Sequence, residues 1–333
     1  MEYFGIAGTD LRAPRVALGT WAIGGWMWGG TDELQSIATI QSAVDYGVTL
    51  IDTAPVYGSG RSEELVGRAL SDGARRSKAL IATKCGLEFE NGGIRRNSSR
   101  RRILYEVEQS LRRLRTDYID IYQIHWPDTA TPFEETASTL HELLRTGVIR
   151  AVGVSNYSTR QMDEFRKAGP LHTVQPPYNL FERGIENDVM PYAQDHGLTM
   201  LMYGPLCRGL LSGRIDANTR FEGDDLRNID PKFQQPRIDR YVEAVRRLDE
   251  FAQTNFGKRV IHLAVRWVLD HPGNIAALWG ARRPDQLRAI GEVTGWRLSE
   301  NDMREIDRIL ADTVADPVGP EFMAPPPSTE VVG

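Results

Sequence analysis

Cysteine is nearly absent. The 333 residues hold two, Cys85 and Cys207, far apart in the chain. A disulfide framework is excluded as the source of stability, and free thiols in a cytoplasmic protein are the expectation. Long apolar runs are missing too: no stretch approaches the roughly 18 residues of a membrane-spanning helix. The opening "MEYFGIAGTD" has no basic segment leading into an apolar one, so no signal peptide is read there. Positive charge is not in excess. The net charge is -5 and no basic run is interleaved with aromatics, which argues against nucleic acid as a partner. Two familiar active-site signatures are also lacking. The first apolar run leads into "GTWAIGGWMWGG", not a G-x-G-x-x-G phosphate turn, and no G-x-S-x-G nucleophile elbow occurs.

What the chain does have is alternation. Short apolar or β-branched runs stand at 15–19, 48–52, 79–84, 118–125, 149–155, 172–175, 198–203 and 274–280. Helical spacing fills 32–46, 62–72, 99–115, 133–145, 158–167, 185–196, 239–270 and 284–294. Most strand runs lack polar alternation, as suits strands covered on both faces. Eight such units predict an α/β protein, a closed (β/α)₈ TIM barrel in one domain over 1–333. An open doubly wound sheet would carry the glycine-rich turn that is missing here. Three additions are legible. Residues 3–13 read as a β-hairpin turning at Gly8 and closing the barrel bottom. Extra helices, broken near Gly257, follow the seventh strand and its long loop (204–238). A last helix over 298–313 begins at Ser299, with Asp302 three residues on. The tail, 315–333, is too proline-rich for regular structure, and its last residues are expected to be mobile. Phe322 and Met323 need burial, which predicts that 316–324 packs against the barrel mouth.

At the carboxyl ends of barrel strands, side chains meet at one face. The second strand ends at Asp52 with Tyr57 beyond it, the third at Lys84, the fourth at His125. Singly, each has an ordinary role: a cap, a packing ring, a solvated strand end, a hydrogen-bonded core histidine. Their joint appearance at adjacent strand ends is what points to chemistry. Of six histidines only His125 sits at such an end, so a metal-dependent hydrolase is not favoured and no metal ligands are assigned.

The motifs "GTWAIGG", "IDTAPVYG", "ATKCG", "IHWPD", "GVSNY", "PYNL", "YGPLCRGLLSGR" and "GARRPDQ", in this order, resemble those of the aldo-keto reductases. The ending "DPVGPEFMAPP" is similar to that of a bacterial branch active on small aldehydes and sugar-derived carbonyls. The resemblance implies Asp52, Tyr57, Lys84 and His125 as a catalytic tetrad, and NADP(H) as cofactor. Carbonyl reduction needs a hydride on carbon and a proton on oxygen. A tyrosine, with an unperturbed pKa of about 10, is a poor acid at neutral pH. A nearby ammonium is expected to lower that value. Lys84 supplies it, and Asp52 keeps the lysine charged and oriented. His125 either holds the carbonyl oxygen or relays the proton.

For the cofactor, the resemblance implies Ser155, Asn156 and Gln175 at the carboxamide and the ring of Tyr203 against the nicotinamide. Gly19, Thr20, Trp21 and Asp52 stand beside it. Gly204, Pro205, Leu206, Arg208 and Arg214 would wrap the pyrophosphate. Gly280, Arg282 and Gln286 match the adenosine end, with Arg282 the first choice for a 2′-phosphate. Ala289 and Ile290 replace a Glu-Asn pair frequent in the family, which leaves the phosphate as the main grip. Trp21, Tyr57, His125 and Trp126 are the expected substrate contacts, with Trp26 and Trp28 at the same rim. With no arginine among them, a small neutral aldehyde, ketone or alcohol is expected. The alternative within the family is a cofactor-sensing, non-catalytic subunit of a larger assembly.

Overall fold

The computed structural model describes residues 1–71, 74–90 and 93–326. The chain opens with an antiparallel hairpin, β1 (Tyr3–Gly5) and β2 (Arg12–Pro14). The barrel strands follow: β3 (Val16–Gly19), β4 (Leu50–Asp52) and β5 (Leu80–Cys85). A second hairpin, β6 (Leu87–Glu90) and β7 (Gly93–Arg96), interrupts them. The barrel resumes with β8 (Ile121–Ile124), β9 (Val152–Ser155), β10 (Thr173–Gln175), β11 (Thr199–Met202) and β12 (Ile275–Gly280). The helices in chain order are α1 (Trp21–Gly24), α2 (Glu33–Asp45), α3 (Arg61–Leu70), α4 (Arg75–Lys78) and α5 (Arg100–Leu114). After them come α6 (Phe133–Arg145), α7 (Thr159–Arg166), α8 (Val189–Asp195), α9 (Arg237–Phe256), α10 (Val260–Asp270) and α11 (Glu300–Thr313).

The eight parallel strands close on themselves, because β3 pairs with β12 from Val16↔Ala277 to Gly19↔Gly280. The structure is therefore the α/β barrel that the alternation predicts. Inside it, Ala17, Leu50, Ala82, Ile121, Ala151, Leu201 and Ala276 pack with Ile6, Leu11 and Ala13 of the first hairpin. The hairpin thus seals the bottom. Alternate residues of the same strands face the helices in a second, larger apolar layer.

Local chemistry explains the helix ends. Side chains of Asp32, Ser99, Ser158 and Ser299 cap α2, α5, α7 and α11, and the Ser299–Asp302 pair is a reciprocal capping box. Gly257, in the left-handed region, ends α9 and separates it from α10. Three differences from the sequence reading stand out. The β6–β7 hairpin is not anticipated. Residues 185–196 split into a 3₁₀ turn (Gly184–Asn187) and α8, because Asp188 leaves helical geometry and its carboxylate takes the N–H of Val189. The segment after β12 is a 3₁₀ helix (Pro284–Glu292), not an α-helix. In the tail, Val318, Phe322 and Met323 contact the barrel mouth; residues 327–333, part of the expected mobile end, lie outside the described residues.

Candidate active site

Tyr57 is positioned by two backbones in direct contact. A Cβ on Gly24 would lie 2.7 Å from the carbonyl carbon and oxygen of Tyr57, and one on Gly58 would collide with the carbonyl oxygen of Gly24. Gly58 also has φ +67°, so only glycine suits this crossing. From β5, the fully buried Lys84 extends upward inside the barrel. Its Nζ donates to Asp52 Oδ1 at 2.7 Å, to the Thr53 carbonyl at 3.0 Å and toward the Tyr57 hydroxyl at 3.3 Å. The second Asp52 oxygen accepts from Gln175 Nε2 at 2.8 Å. His125 follows β8, its ring edge-on to Tyr57 with centroids 5.8 Å apart. Trp21 stacks on the other side of the phenol at 5.9 Å. All four residues of the expected tetrad therefore meet.

Their electrostatics correct one expectation. Burial, with the Asp52 charge adding to it, pushes the Tyr57 phenol well above its ordinary range. Lys84 does not lower it in the resting site, because the ammonium is already spent on Asp52. Burial also draws the Lys84 ammonium down, and the Asp52 carboxylate opposes that shift. Burial, aided by the Lys84 charge, holds His125 well below the usual histidine value. At neutral pH the site presents a protonated phenol and a neutral imidazole.

Above the tetrad lies a cavity of about 310 Å³. Trp21, Trp26, Trp28 and Trp126 all line it, as do Gly19, Thr20, Tyr57 and His125. Ser155, Asn156, Gln175 and Tyr203 form one bonded group. Ser155 Oγ donates to the Gln175 carbonyl at 2.8 Å, Asn156 Nδ2 to Ser155 Oγ at 3.0 Å, and Tyr203 to Asn156 Oδ1 at 2.9 Å. Ser158, not Asn156, caps the next helix. Gly204, Pro205 and Leu206 continue the lining, and Gly280, Arg282 and Gln286 complete it at the far end.

Two arginines depart from expectation. Arg208 lines the cavity, but its guanidinium is buried between Asp230, at 2.6 Å, and Glu182, at 2.5 Å. Its charge is committed to carboxylates and is not free for a phosphate. Arg214 is exposed and lies outside the lining. Sequence reasoning misses Arg227, Val56, Leu87, Ile94, Met323 and Pro325, all of which line the cavity. Arg227 sits in a loop without periodicity, and Leu87 and Ile94 belong to the unanticipated hairpin. The "ENGG" between those strands is the signal that could have found it.

Comparison with known proteins bears directly on this geometry. The sequence model of the Aldo/keto reductase family matches residues 15–311. The chain belongs to the aldo/keto reductase family. It is 58% identical over 331 residues to the aldo-keto reductase YhdN of Bacillus subtilis (strain 168), covering 99% of this chain and 100% of that one. It is 34% identical over 328 residues to the NADH-specific methylglyoxal reductase of Escherichia coli (strain K12), covering 93% and 99%. Among solved structures, the glycerol dehydrogenase AKR11B4 from Gluconobacter oxydans matches with a TM-score of 0.87 at 52% identity, covering 97% of this chain and 99% of that one.

In this aldo/keto reductase the far end of the cavity carries surplus positive charge. Burial, then the neighbouring Arg227 and Arg283, lower the pKa of Arg282, with Asp225 as the opposing charge. Arg282 Nη1 donates to the Trp28 carbonyl at 2.9 Å. Arg283 is exposed and paired with Asp285. Gln286 Oε1 accepts the N–H groups of both Arg282 and Arg283. Such a cluster of guanidinium groups fits a phosphate. Both cysteines are buried and free; burial raises Cys85 well above the thiol range and pushes Cys207 up to about 12, so neither is a ready nucleophile.

Proposed function

We propose that this chain reversibly reduces small aldehydes and ketones to alcohols, using NADP(H) held along the cavity. The observation that carries the reading is the contact of the Tyr57 hydroxyl with the Lys84 ammonium, 3.3 Å apart at one end of a cavity whose other end is edged by Arg282. A bound nicotinamide dinucleotide supplies the hydride, which no side chain here can. Ser155, Asn156 and Gln175 offer amide and hydroxyl groups for its carboxamide, and Tyr203 a ring face. Arg282 is the residue for a 2′-phosphate.

Tyr57 gives its proton to the carbonyl oxygen, and its elevated pKa keeps that proton in place until substrate arrives. Lys84 stabilises the tyrosinate left behind. Asp52 holds Lys84, and Gln175 holds Asp52. His125, neutral, donates a ring N–H to the carbonyl oxygen and keeps it within reach of the phenol; the proton itself comes from Tyr57. The tryptophan walls exclude water and leave room for a small uncharged molecule. The relatives named for glycerol and methylglyoxal support an oxygenated one.

One relative is NADH-specific by name, so the choice of cofactor rests on Arg282. A charge-assisted hydrogen bond to phosphate contributes roughly 1.5–3 kcal/mol, about ten- to a hundredfold in affinity. Consumption of NADPH and NADH with glyceraldehyde and methylglyoxal tests the reading. Turnover with a clear NADPH preference is expected. Equal use of the two cofactors would remove the Arg282 assignment, and cofactor binding with no turnover of any carbonyl would favour a sensing subunit.

A further inference from the structure

A second cavity, of about 200 Å³, lies behind the loop that carries Tyr57. One wall is α5, which presents Arg102, Glu106, Gln109 and Arg113; the other is the Tyr57 loop and β6. Val56 and Leu87 line both cavities, so a partition one side chain thick separates them. Val56 immediately precedes Tyr57, and Leu87 follows Lys84 by three residues. Glu106 adds a third link, since its Oε2 accepts the N–H of Gly86 at 2.7 Å, just past the end of β5.

The lining is cationic on balance, with two guanidinium groups and one carboxyl. Arg102 reaches Glu106 at 2.9 Å and Glu88 at 3.3 Å. Its buried Nε finds no acceptor among the described residues. Arg113 commits Nε to Glu63 at 2.7 Å, and among the described residues its Nη1 makes no hydrogen bond. Unused guanidinium N–H groups favour an anion with several acceptor oxygens. Apolar surface faces them: Val56 and Leu87 form the floor, and the partly exposed rings of Phe89 and Tyr105 stand at the opening. Trp26, of the first cavity, meets Phe89 edge-on at 6.1 Å.

We propose that this cavity is a ligand site separate from the substrate pocket. It takes a small organic anion, a carboxylate or phosphate monoester carrying an apolar body, and its occupancy alters turnover through the Val56–Leu87 partition. The binding half stands on geometry alone; the turnover half rests on the reductase reading.

Gln109 offers a test that spares the packing, because it is half-buried on the cavity wall and an isosteric carboxylate can replace it. Phenyl phosphate and benzoate would be titrated calorimetrically into the full chain with NADP present, using wild type, Gln109→Glu and Gln109→Lys. At least one probe is expected to bind wild type with one site at this cavity, about tenfold more weakly to Gln109→Glu and several-fold more tightly to Gln109→Lys. The tighter probe then identifies the head group. Equal affinities in the three proteins would locate the anion elsewhere and overturn the site, as would no binding to wild type at millimolar probe. For the second half, the bound probe should change kcat at saturating aldehyde in wild type and not in Gln109→Glu. Purely competitive inhibition, or unaltered turnover with the site filled, would overturn the coupling. A protein without reductase activity still gives the binding result.

Discussion

Tyr57 must release a proton from a phenol that burial holds above its usual range, and the compensation is local. Transfer leaves a tyrosinate 3.3 Å from Lys84, in surroundings where solvent screens the attraction little. Phe at this position keeps the ring that stacks on Trp21 and removes only the proton. Tyr57→Phe is expected to bind cofactor normally and to lose roughly 10²–10⁴ in carbonyl reduction; near wild-type single-turnover rates would put the acid elsewhere. Glu106 makes a different forecast. Burial raises its carboxyl from the ordinary 4.5 to about 7. Between those values the folded chain keeps a proton that the unfolded chain has released. The stabilisation is therefore full below pH 4.5 and is lost as pH rises through 7, amounting to about 3 kcal/mol. Gln at this position cannot titrate, so the stability difference between wild type and Glu106→Gln should shrink by that amount over the window. Denaturant melts at several pH values check it, and a difference flat with pH refutes it. The identity of the tetrad is legible in sequence because each member closes or follows a strand run. The direction of the Tyr57 shift is not, since adjacency to Lys84 says nothing of burial. Arg208 misleads for a related reason: its partners Glu182 and Asp230 lie in separate segments whose meeting only the fold reveals.

Two loops from opposite ends of the chain clasp one another over the main cavity. Met27 and Gly29, after α1, donate their N–H groups to the Asp224 carboxylate at 2.7 and 3.1 Å, and Leu226 N–H returns to the Met27 carbonyl at 3.0 Å. Arg282 bonds the Trp28 carbonyl, and the Arg227 guanidinium lies 5.2 Å from the Trp28 ring centroid. A molecule lying along the cavity must part this clasp to leave. Asp224 is exposed and supports nothing else that the structure describes. Asp224→Ala should therefore leave folding intact and speed cofactor release about tenfold, for the roughly 1.4 kcal/mol expected of such bonds. Stopped-flow displacement measures it; an unchanged rate would mean that the clasp is not what holds the ligand. The barrel strands, being continuous apolar runs, are legible to within a few residues. The clasp and the β6–β7 hairpin are not. Their segments are short and polar, and they take their shape from partners some two hundred residues away or from a turn that the β/α alternation outweighs.

The barrel is stoppered at one end by β1–β2 and bordered at the other by its tail. Met323 and Pro325 line the cavity, Arg96 donates to the Pro325 carbonyl at 2.7 Å, and Lys232 to the Gly319 carbonyl at 3.1 Å. The packing of 316–324 at the mouth is legible because Phe322 and Met323 are the apolar residues of a polar stretch. Truncation after Ala315 is expected to reorder activity among aldehydes while changing NADPH affinity little. An unchanged profile would show that the tail only decorates the rim. Closure of the ring has a consequence for how the molecule is made. The outer edge of β3 finds its partner only in β12, some 260 residues later by the pairing of Gly19 with Gly280. At about 5–20 residues per second, a ribosome takes tens of seconds to deliver that partner. Throughout that interval the nascent chain carries an open sheet edge, the kind of surface that invites association with other chains. Chains arrested before Ile275 should be cut quickly by protease, and chains with Gly280 well clear of the exit tunnel should resist it. Early resistance would mean that some other segment shields the edge while the ring waits to close.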